Sequence, residues 1–242
     1  MEAWNGFRCE RFEFEGREAF LTFPDQCDAQ KNWALKTEYR GAFPETEIDL
    51  LKKGFHVAFL RNRTRFATPE DCDAKARFCR YLQSTYGLCA QCVPIGMSCG
   101  GAHAVNFAGA YPELVKCMFI DAPVLNFLSY PGKIGSKEHE KVWDAEFVHA
   151  YPGITRAGLL QFAHHPLCQI PTLKAHQIPI LMLYGTEDAL VPYEENGRLM
   201  ELEYADAPNL LTVIPRQNQG HHPHGIPEHP EIIADYIIEH CK

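Results

Sequence analysis

The sequence of 242 residues has no run of 18 consecutive apolar residues, the length that a membrane-spanning helix requires. It has no excess of basic residues either, since 23 lysines and arginines stand against 31 aspartates and glutamates, for a formal charge of −8. Nucleic acids and anionic membrane surfaces attract positive charge, so we expect neither as a partner. The amino-terminal stretch MEAWNGFRCERFEFEG lacks the basic and apolar regions of a signal peptide. We therefore expect a cytoplasmic protein.

Paired cysteine motifs are scarce, although cysteine itself occurs ten times between Cys9 and Cys241. The chain is long enough to form a large apolar core, so the spread of its cysteines favours reduced thiols over a disulfide scaffold. A single CxxC pair, Cys89 and Cys92, opens an apparent strand, whereas the activated thiol of a redox motif begins a helix. No second pair completes a four-cysteine zinc site. We predict that these cysteines are buried and structural.

Apolar patterning indicates an α/β protein that forms a single domain over residues 1–242. The stretch RCERFEFEGREAFLTFP predicts an antiparallel hairpin, and strands then alternate with helices along the chain. Thr68 and Gly87 bracket a predicted helix, and a further helix is predicted in PYEENGRLMELEYADA. Short, nearly continuous apolar strands between helices are typical of a mostly parallel sheet that is covered on both faces.

The stretch GMSCGG places Ser98 between glycines at the junction of a predicted strand and a predicted helix. The residues fit G-x-S-x-G, a sharp turn in which small residues two before and two after the serine avoid a clash. Such a turn raises the hydroxyl above the sheet, and the amino terminus of the helix favours negative charge beside it. We interpret Ser98 as a nucleophile in preference to a structural turn residue.

A nucleophilic serine needs a base, and the base needs a carboxylate that orients it. Asp188 follows an apolar strand in PILMLYGTEDALVP, and His221, His222 and His224 follow the next strand in RQNQGHHPHG. The three histidines could also form half of a metal site. They lack an accompanying acidic cluster or HExxH spacing, so we predict that the protein binds no metal and needs no cofactor.

At GMSCGG, GTEDALVP and GHHPHG the sequence resembles the α/β-hydrolase superfamily, and within it the small single-domain esterases and the catalytic domains related to prolyl oligopeptidases. The resemblance covers nearly the whole chain. It implies a mostly parallel eight-stranded sheet with helices on both faces and a small cap at about 123–177, between strands 6 and 7. It also implies a Ser98, Asp188, His221 triad, because the catalytic histidine of relatives usually follows a glycine. His222 is the alternative base, followed by His224, and Asp121 is the alternative acid.

The same resemblance implies an oxyanion hole made by the backbone N–H of Cys99 and a second N–H from the loop KTEYRGAFPE. We assign that second donor to Tyr39, with Arg40 next, although the loop lacks the His-Gly-Gly run of many lipases. The predicted cap has no long amphipathic helix. Its rings, in NFLSYPG and at Trp143, Phe147, Tyr151 and Phe162, are expected either to line a small pocket or to pack in a core.

Together these features predict a serine hydrolase that cleaves a carboxylic ester of a small molecule, with a short acyl group such as acetyl on a carbohydrate or metabolite. Two alternatives remain. One is a peptidase related to prolyl oligopeptidases, and the other is a non-catalytic binding protein with the same fold.

Overall fold

The computed structural model describes residues 2–132 and 140–242, and these residues build one nine-stranded sheet. The strand order is β1-β2-β3-β5-β4-β6-β7-β8-β9. The strands are β1 (Glu2–Trp4), β2 (Phe7–Phe14), β3 (Arg17–Thr22), β4 (Trp33–Lys36), β5 (His56–Leu60), β6 (Val93–Met97), β7 (Met118–Asp121), β8 (Ile180–Gly185) and β9 (Leu211–Arg216).

The sheet is antiparallel at one edge and parallel elsewhere. Strands β1, β2, β3 and β5 pair antiparallel, which confirms the predicted hairpin, whereas β4 pairs parallel with β5 and β6, and β6 to β9 pair in parallel. The predicted count of eight strands is wrong by one. The extra strand is β1, whose three residues pair with Phe7–Cys9, and so short a segment carries no alternation that a sequence pattern could reveal.

Helices cover both faces of the sheet, as predicted. They are α1 (Glu45–Lys52), α2 (Pro69–Tyr86), α3 (Cys99–Ala110), α4 (Glu140–Val142), α5 (Val148–Ala150), α6 (Ile170–Ala175), α7 (Gly197–Glu203) and α8 (Glu231–His240). Strand β7 shows how its two faces are used: Met118 and Ile120 join the core that contains α2 and α3, while Phe119 joins the core that contains α1 and α8. Alternating side chains of one strand therefore meet different helical layers.

Two predicted helices have different outcomes. Helix α2 has the predicted ends, because the Thr68 hydroxyl accepts the backbone N–H of Asp71 and Gly87 adopts a left-handed φ of 66°. The helix predicted in PYEENGRLMELEYADA is broken instead. A 3₁₀ turn at Tyr193–Glu195 ends at the buried Asn196, which has φ −132° and whose side-chain oxygen accepts the N–H of Leu125.

The region predicted as a cap consists of short pieces, and seven of its positions (133–139) lie outside the described residues. A π-helical turn at Trp143–Phe147 joins α4 to α5, and 3₁₀ turns follow at Ala157–Gln161 and Pro166–Gln169. All ten cysteines are free, as predicted. Over the described residues, no helix combines the length and the apolar character needed to cross a bilayer.

A buried ionic group ties the edge of the sheet to α2. The Asp71 carboxylate, which is fully buried, accepts hydrogen bonds from Arg17 Nη1 at 2.6 Å and from the Arg63 N–H at 2.9 Å. Burial alone would raise the pKa of Asp71, but the nearby Lys75 and these hydrogen bonds lower it below its usual value. The carboxylate therefore stabilises the fold at pH values above the unfolded-state pKa of about 4, and this contribution is lost as the pH falls through the lower pKa of the folded state.

We predict that Asp71→Ala lowers the free energy of unfolding by about 3–5 kcal/mol, because it leaves the buried Arg17 and Lys75 charges without their carboxylate. Glu70→Ala is the matched control, since Glu70 pairs with the same Arg17 but its side chain is 66% exposed. That variant should change the free energy of unfolding by about 1 kcal/mol or less. Urea unfolding at neutral pH measures both values, and equal losses would contradict this account of the buried pair.

Candidate active site

Ser98 occupies a strained turn between β6 and α3. Its φ of 54° and ψ of −122° lie outside the regions that side-chain-bearing residues prefer. A Cβ on Gly96 would lie 2.3 Å from the carbonyl oxygen of Gly100, and a Cβ on Gly101 would lie 2.4 Å from Pro123 Cβ. Gly96 and Gly101 are therefore required by close packing at the turn, whereas a Cβ on Gly100 would make a tight contact of 3.2 Å with Glu38 Cβ.

Neighbouring strands hold this turn in place. The Thr37 hydroxyl, at the end of β4, lies within hydrogen-bond distance of the carbonyl oxygens of Ile95 (3.0 Å) and Gly100 (2.7 Å). The backbone N–H of Ser98 donates to the carbonyl of Asp121 on β7 at 2.9 Å. The strained conformation is thus fixed from both sides of β6, which keeps the serine hydroxyl at one position above the sheet.

The structure brings Ser98, His221 and Asp188 into one chain of contacts. His221 Nε2 lies 3.0 Å from Ser98 Oγ, and His221 Nδ1 lies 2.7 Å from Asp188 Oδ2. The second carboxylate oxygen, Oδ1, accepts the backbone N–H groups of Leu190 and Val191, each at 2.9 Å. The residues are far apart in the sequence, but each one follows the carboxyl end of a parallel strand, where loops of this kind of sheet meet.

Hydrogen bonds keep the Asp188 carboxyl ionised. Burial alone would raise the pKa of Asp188, but the hydrogen bonds from His221 and from the N–H groups of Val191 and Leu190 lower it below its usual value. A carboxylate at this position accepts a proton-bearing Nδ1 and leaves Nε2 as the acceptor that faces Ser98. The arrangement therefore provides a hydroxyl, a base and an orienting anion in the order that nucleophilic catalysis requires.

The loops that carry Asp188 and His221 approach each other through Gly185. A Cβ on Gly185 would lie 2.2 Å from the carbonyl oxygen of Gly220, so a side chain there would force the loops apart. The N–H of Glu187 also donates to the carbonyl of Gln219 at 2.8 Å. The glycine at the end of β8 therefore sets the separation between the acid and the histidine.

Asp121, the alternative acid, has other partners. Its fully buried carboxylate accepts Arg216 Nη2 at 2.8 Å and the backbone N–H of Gly225 at 2.6 Å, and it lies 3.4 Å from His224 Nδ1. These contacts fasten the loop of histidines to β7. Asp121 thus anchors the loop that presents His221, while Asp188 is the carboxylate bonded to that histidine.

The alternative bases also lie in this loop. His222 is exposed and stacks on Phe43, with ring centroids 5.6 Å apart, and the buried His224 packs edge-on against the same ring. Burial and the two neighbouring histidines lower the pKa of His222. The hydroxyl of Ser98 is bonded to His221, so the structure brings the first of the three histidines to the serine.

The three histidines form a group that would suit a metal ion by proximity alone. One nitrogen from each of His221, His222 and His224 lies within 4.8 Å of the others. His221 already uses Nδ1 for Asp188 and Nε2 for Ser98. A metal ion bound by this histidine would displace one of those contacts, so metal binding and the Ser98–His221–Asp188 arrangement are alternatives.

The two predicted oxyanion donors, the backbone N–H groups of Cys99 and Tyr39, have different surroundings. The backbone N–H of Cys99 belongs to the first turn of α3, where N–H groups have no partner within the helix. Tyr39 lines the same cavity as Ser98 and has a left-handed φ of 54°, and its N–H interacts with the Glu38 carboxylate. The Arg40 side chain stacks on Phe20 at 3.5 Å from the ring centroid and is not among the residues that line this cavity.

A cavity of about 260 Å³ opens in front of Ser98 and His221. Its further lining is contributed by Tyr39, Ala42, Phe43, Arg65, Met97, Tyr130, Leu190, His222 and His224.

Most of the cap rings that the sequence suggested as walls pack in a core instead. Trp143 stacks on Phe147 with centroids 5.0 Å apart, and Tyr151 meets Phe162 edge-on at 4.7 Å. Tyr130, from NFLSYPG, is the cap ring that reaches the cavity.

Solved structures share this architecture at low sequence identity. The acylaminoacyl peptidase of Pyrococcus horikoshii superposes with a TM-score of 0.71 at 16% identity, over 96% of this chain and 41% of that one. Est1E from Butyrivibrio proteoclasticus gives a TM-score of 0.67 at 14% identity, over 96% of this chain and 98% of that one. The chain has the α/β-hydrolase fold.

A puromycin-hydrolyzing peptidase of Mycobacterium tuberculosis is a third similar structure, with a TM-score of 0.67 at 16% identity, over 89% of this chain and 36% of that one. This chain therefore spans about two fifths of the length of the two peptidases. No family model matches the sequence, and no curated protein matches it.

Several residues of this site were missed by sequence reasoning. Thr37, Gly185 and Arg216 position the nucleophile and the histidine loop, and Arg65 lines the cavity. The position of Gly185, at the end of a strand that precedes the acid, was a usable signal. Arg65 had none, because it lies in a basic loop typical of solvated surface.

Proposed function

We propose that this protein is a serine hydrolase in which Ser98 is the nucleophile, His221 the base and Asp188 the orienting carboxylate. The observation that carries the proposal is the continuous pair of hydrogen bonds, of 3.0 and 2.7 Å, from the strained serine through the histidine to the carboxylate. A binding protein that had lost catalysis would have no need of this geometry, so the arrangement also argues against the non-catalytic alternative.

The proposed reaction has two stages. His221 Nε2 takes the proton of the Ser98 hydroxyl while Oγ attacks the acyl carbonyl, and the resulting imidazolium is stabilised by Asp188. The oxyanion is held by the N–H of Cys99 and a second N–H assigned to Tyr39, which must exchange its contact with Glu38. The imidazolium then protonates the leaving group. A water molecule then gives one proton to His221 and its oxygen attacks the acyl carbon. As the bond from this carbon to Ser98 Oγ breaks, the imidazolium returns the proton to Oγ and the acid is released.

A small carboxylic ester is the proposed substrate class, with a short acyl group on a carbohydrate or metabolite. The cavity of about 260 Å³ is smaller than the roughly 300–1,000 Å³ of sites for drug-sized ligands. Peptide hydrolysis is the alternative, and the peptidases of similar fold favour it. The chain spans about two fifths of those peptidases but nearly the whole of Est1E, so we rank ester hydrolysis above peptide hydrolysis.

We further propose that residues 1–242 act as one domain with the cap at about 123–177, and that the protein works in the cytoplasm. Ten free cysteines support a reducing compartment. No metal or other cofactor enters the proposed reaction, because the protein's own side chains supply the nucleophile and the base, and its backbone N–H groups stabilise the oxyanion.

We predict that 4-nitrophenyl acetate and butyrate are cleaved with a kcat/KM at least about tenfold above that of the decanoate, because the cavity holds only a short acyl chain. Steady-state rates at substrate concentrations below micelle formation measure this ratio. The Ser98→Ala variant serves as the background control. A kcat/KM that rises steadily with chain length, or activation at an oil–water interface, would contradict the proposed substrate class.

A further inference from the structure

Arg65 lines the cavity beside Ser98 and His221, yet the proposed reaction does not use it. It lies between β5 and α2, and its side chain is 29% exposed. Among the described residues that line the cavity, the guanidinium is the one group that carries a full charge at every physiological pH. A positive charge at the wall of a small pocket has the properties of a receptor for an anion.

Glu146 does not use all the donors of the Arg65 guanidinium. Arginine carries five N–H groups, and Glu146 accepts from two of its nitrogens, Nε at 2.5 Å and Nη2 at 2.7 Å. The hydroxyls of Tyr39 and Tyr130, which line the same cavity, both interact with the guanidinium. The Arg65 guanidinium and the hydroxyls of Tyr39 and Tyr130 are therefore neighbours in the cavity that Ser98 and His221 also line.

We infer that the cavity recognises a carboxylate on the substrate, which Arg65 binds with help from the Tyr39 and Tyr130 hydroxyls. The substrate would then be a short ester that carries a carboxylate near the scissile bond: a half-ester of a dicarboxylic acid, or an O-acyl hydroxy acid. Carboxylate groups match the planar fork of arginine better than neutral amides do. This inference rests on the proposed ester hydrolysis and adds the substrate's charge to it.

Glu146 gives the inference a distinctive signature. It lies in the π-helical turn of the cap, it is partly exposed, and its carboxylate compensates the Arg65 charge in the absence of substrate. A substrate carboxylate competes with Glu146 for the same guanidinium. Removing the Arg65 charge should therefore weaken recognition of an anionic substrate, whereas removing the Glu146 charge should strengthen it.

Matched substrates measure this recognition on each side of the ester. Ethyl hydrogen succinate is compared with ethyl succinamate for the acyl side, and O-acetylglycolate with O-acetylglycolamide for the alcohol side. In each pair, a carboxylate is exchanged for an amide of similar shape. The readout is the ratio of kcat/KM for the anionic ester to kcat/KM for its amide partner. Hydrolysis of each ester is monitored by measuring acid release at constant pH.

For one of the two pairs, we expect a wild-type ratio above about ten, which Arg65→Gln lowers by roughly 10- to 100-fold and Glu146→Gln raises several-fold. Arg63→Gln is the control, because Arg63 lies in the same loop but is exposed and pairs with Glu70. It should leave the ratio unchanged. Should Arg65→Gln fail to fold, the rise in Glu146→Gln still tests the inference.

Two results would overturn the carboxylate site: a wild-type ratio near one for both pairs, or ratios that move in the same direction in Arg65→Gln and Glu146→Gln. Cleavage of 4-nitrophenyl acetate by the same preparations separates this failure from that of the proposed function. If the nitrophenyl ester is cleaved and the ratios are flat, the carboxylate site alone is wrong. If no ester is cleaved, ester hydrolysis itself is wrong.

Discussion

Replacing His221 with alanine is expected to lower kcat for a short ester by roughly three orders of magnitude or more, because triad members act as a unit and Ser98 loses its base. The imidazole lies 3.0 Å from Ser98 Oγ and is held by Asp188, so both the acceptance and the return of the proton depend on it. Steady-state kinetics on 4-nitrophenyl acetate, with thermal unfolding as a check on the fold, measures the effect.

The neighbouring histidines are the matched controls. His222→Ala should cost much less than His221→Ala, since His222 is exposed and stacks on Phe43. His224→Ala should also cost less, through loosening of the loop that Asp121 anchors. An inactive His222→Ala beside an active His221→Ala would move the base to His222. A chelator should leave the rate unchanged, and a loss of activity that zinc restored would contradict a metal-free reaction.

The sequence predicted the parts of the site that depend on local chemistry. The turn at Ser98 needs small residues at fixed offsets, and that requirement is visible in GMSCGG because close contacts at Gly96 and Gly101 exclude any side chain. The ends of α2 were also predictable, because the Thr68 cap and the left-handed Gly87 act within one turn of the helix. The α/β pattern of the fold follows from the same local periodicities.

The choice between Asp121 and Asp188 was beyond local reasoning. Asp121 ends β7 and Asp188 lies three residues after the end of β8, the neighbouring parallel strand, so the sequence places both acids near the histidine loop. In the structure the two acids differ in their partners, because the Arg216 guanidinium donates a hydrogen bond of 2.8 Å to the Asp121 carboxylate. That partner lies 95 positions along the chain, and no short pattern encodes such a pairing.

Tertiary contacts likewise explain the predictions that differed. The helix predicted over PYEENGRLMELEYADA breaks at Asn196, because its side chain is bonded to the backbone of Leu125 in another segment. For the aromatic residues of the cap, the sequence left two roles open, lining a pocket or packing in a core, because periodicity does not show which ring faces solvent. Trp143 and Phe147 stack in the cap core, while Tyr130 lines the cavity.

Ser98→Ala is expected to lower kcat by roughly three orders of magnitude or more, because no other group can form the acyl-enzyme once Oγ is removed. The residual rate should be that supported by the oxyanion donors and substrate binding alone. The Ser98→Ala substitution exchanges one small residue for another, and the glycines that create the turn remain in place. The variant should therefore keep the far-ultraviolet circular dichroism and the unfolding midpoint of the wild type.

Fluorophosphonate labelling followed by peptide mass spectrometry tests the central claim most directly, because it reports an activated serine without any knowledge of the substrate. The wild-type protein should take up one phosphonyl group, on the peptide that contains Ser98. Ser98→Ala should take up none, and His221→Ala should react far more slowly. Labelling that persists in Ser98→Ala, or that falls on another residue of the wild type, would contradict the assignment of Ser98 as the nucleophile.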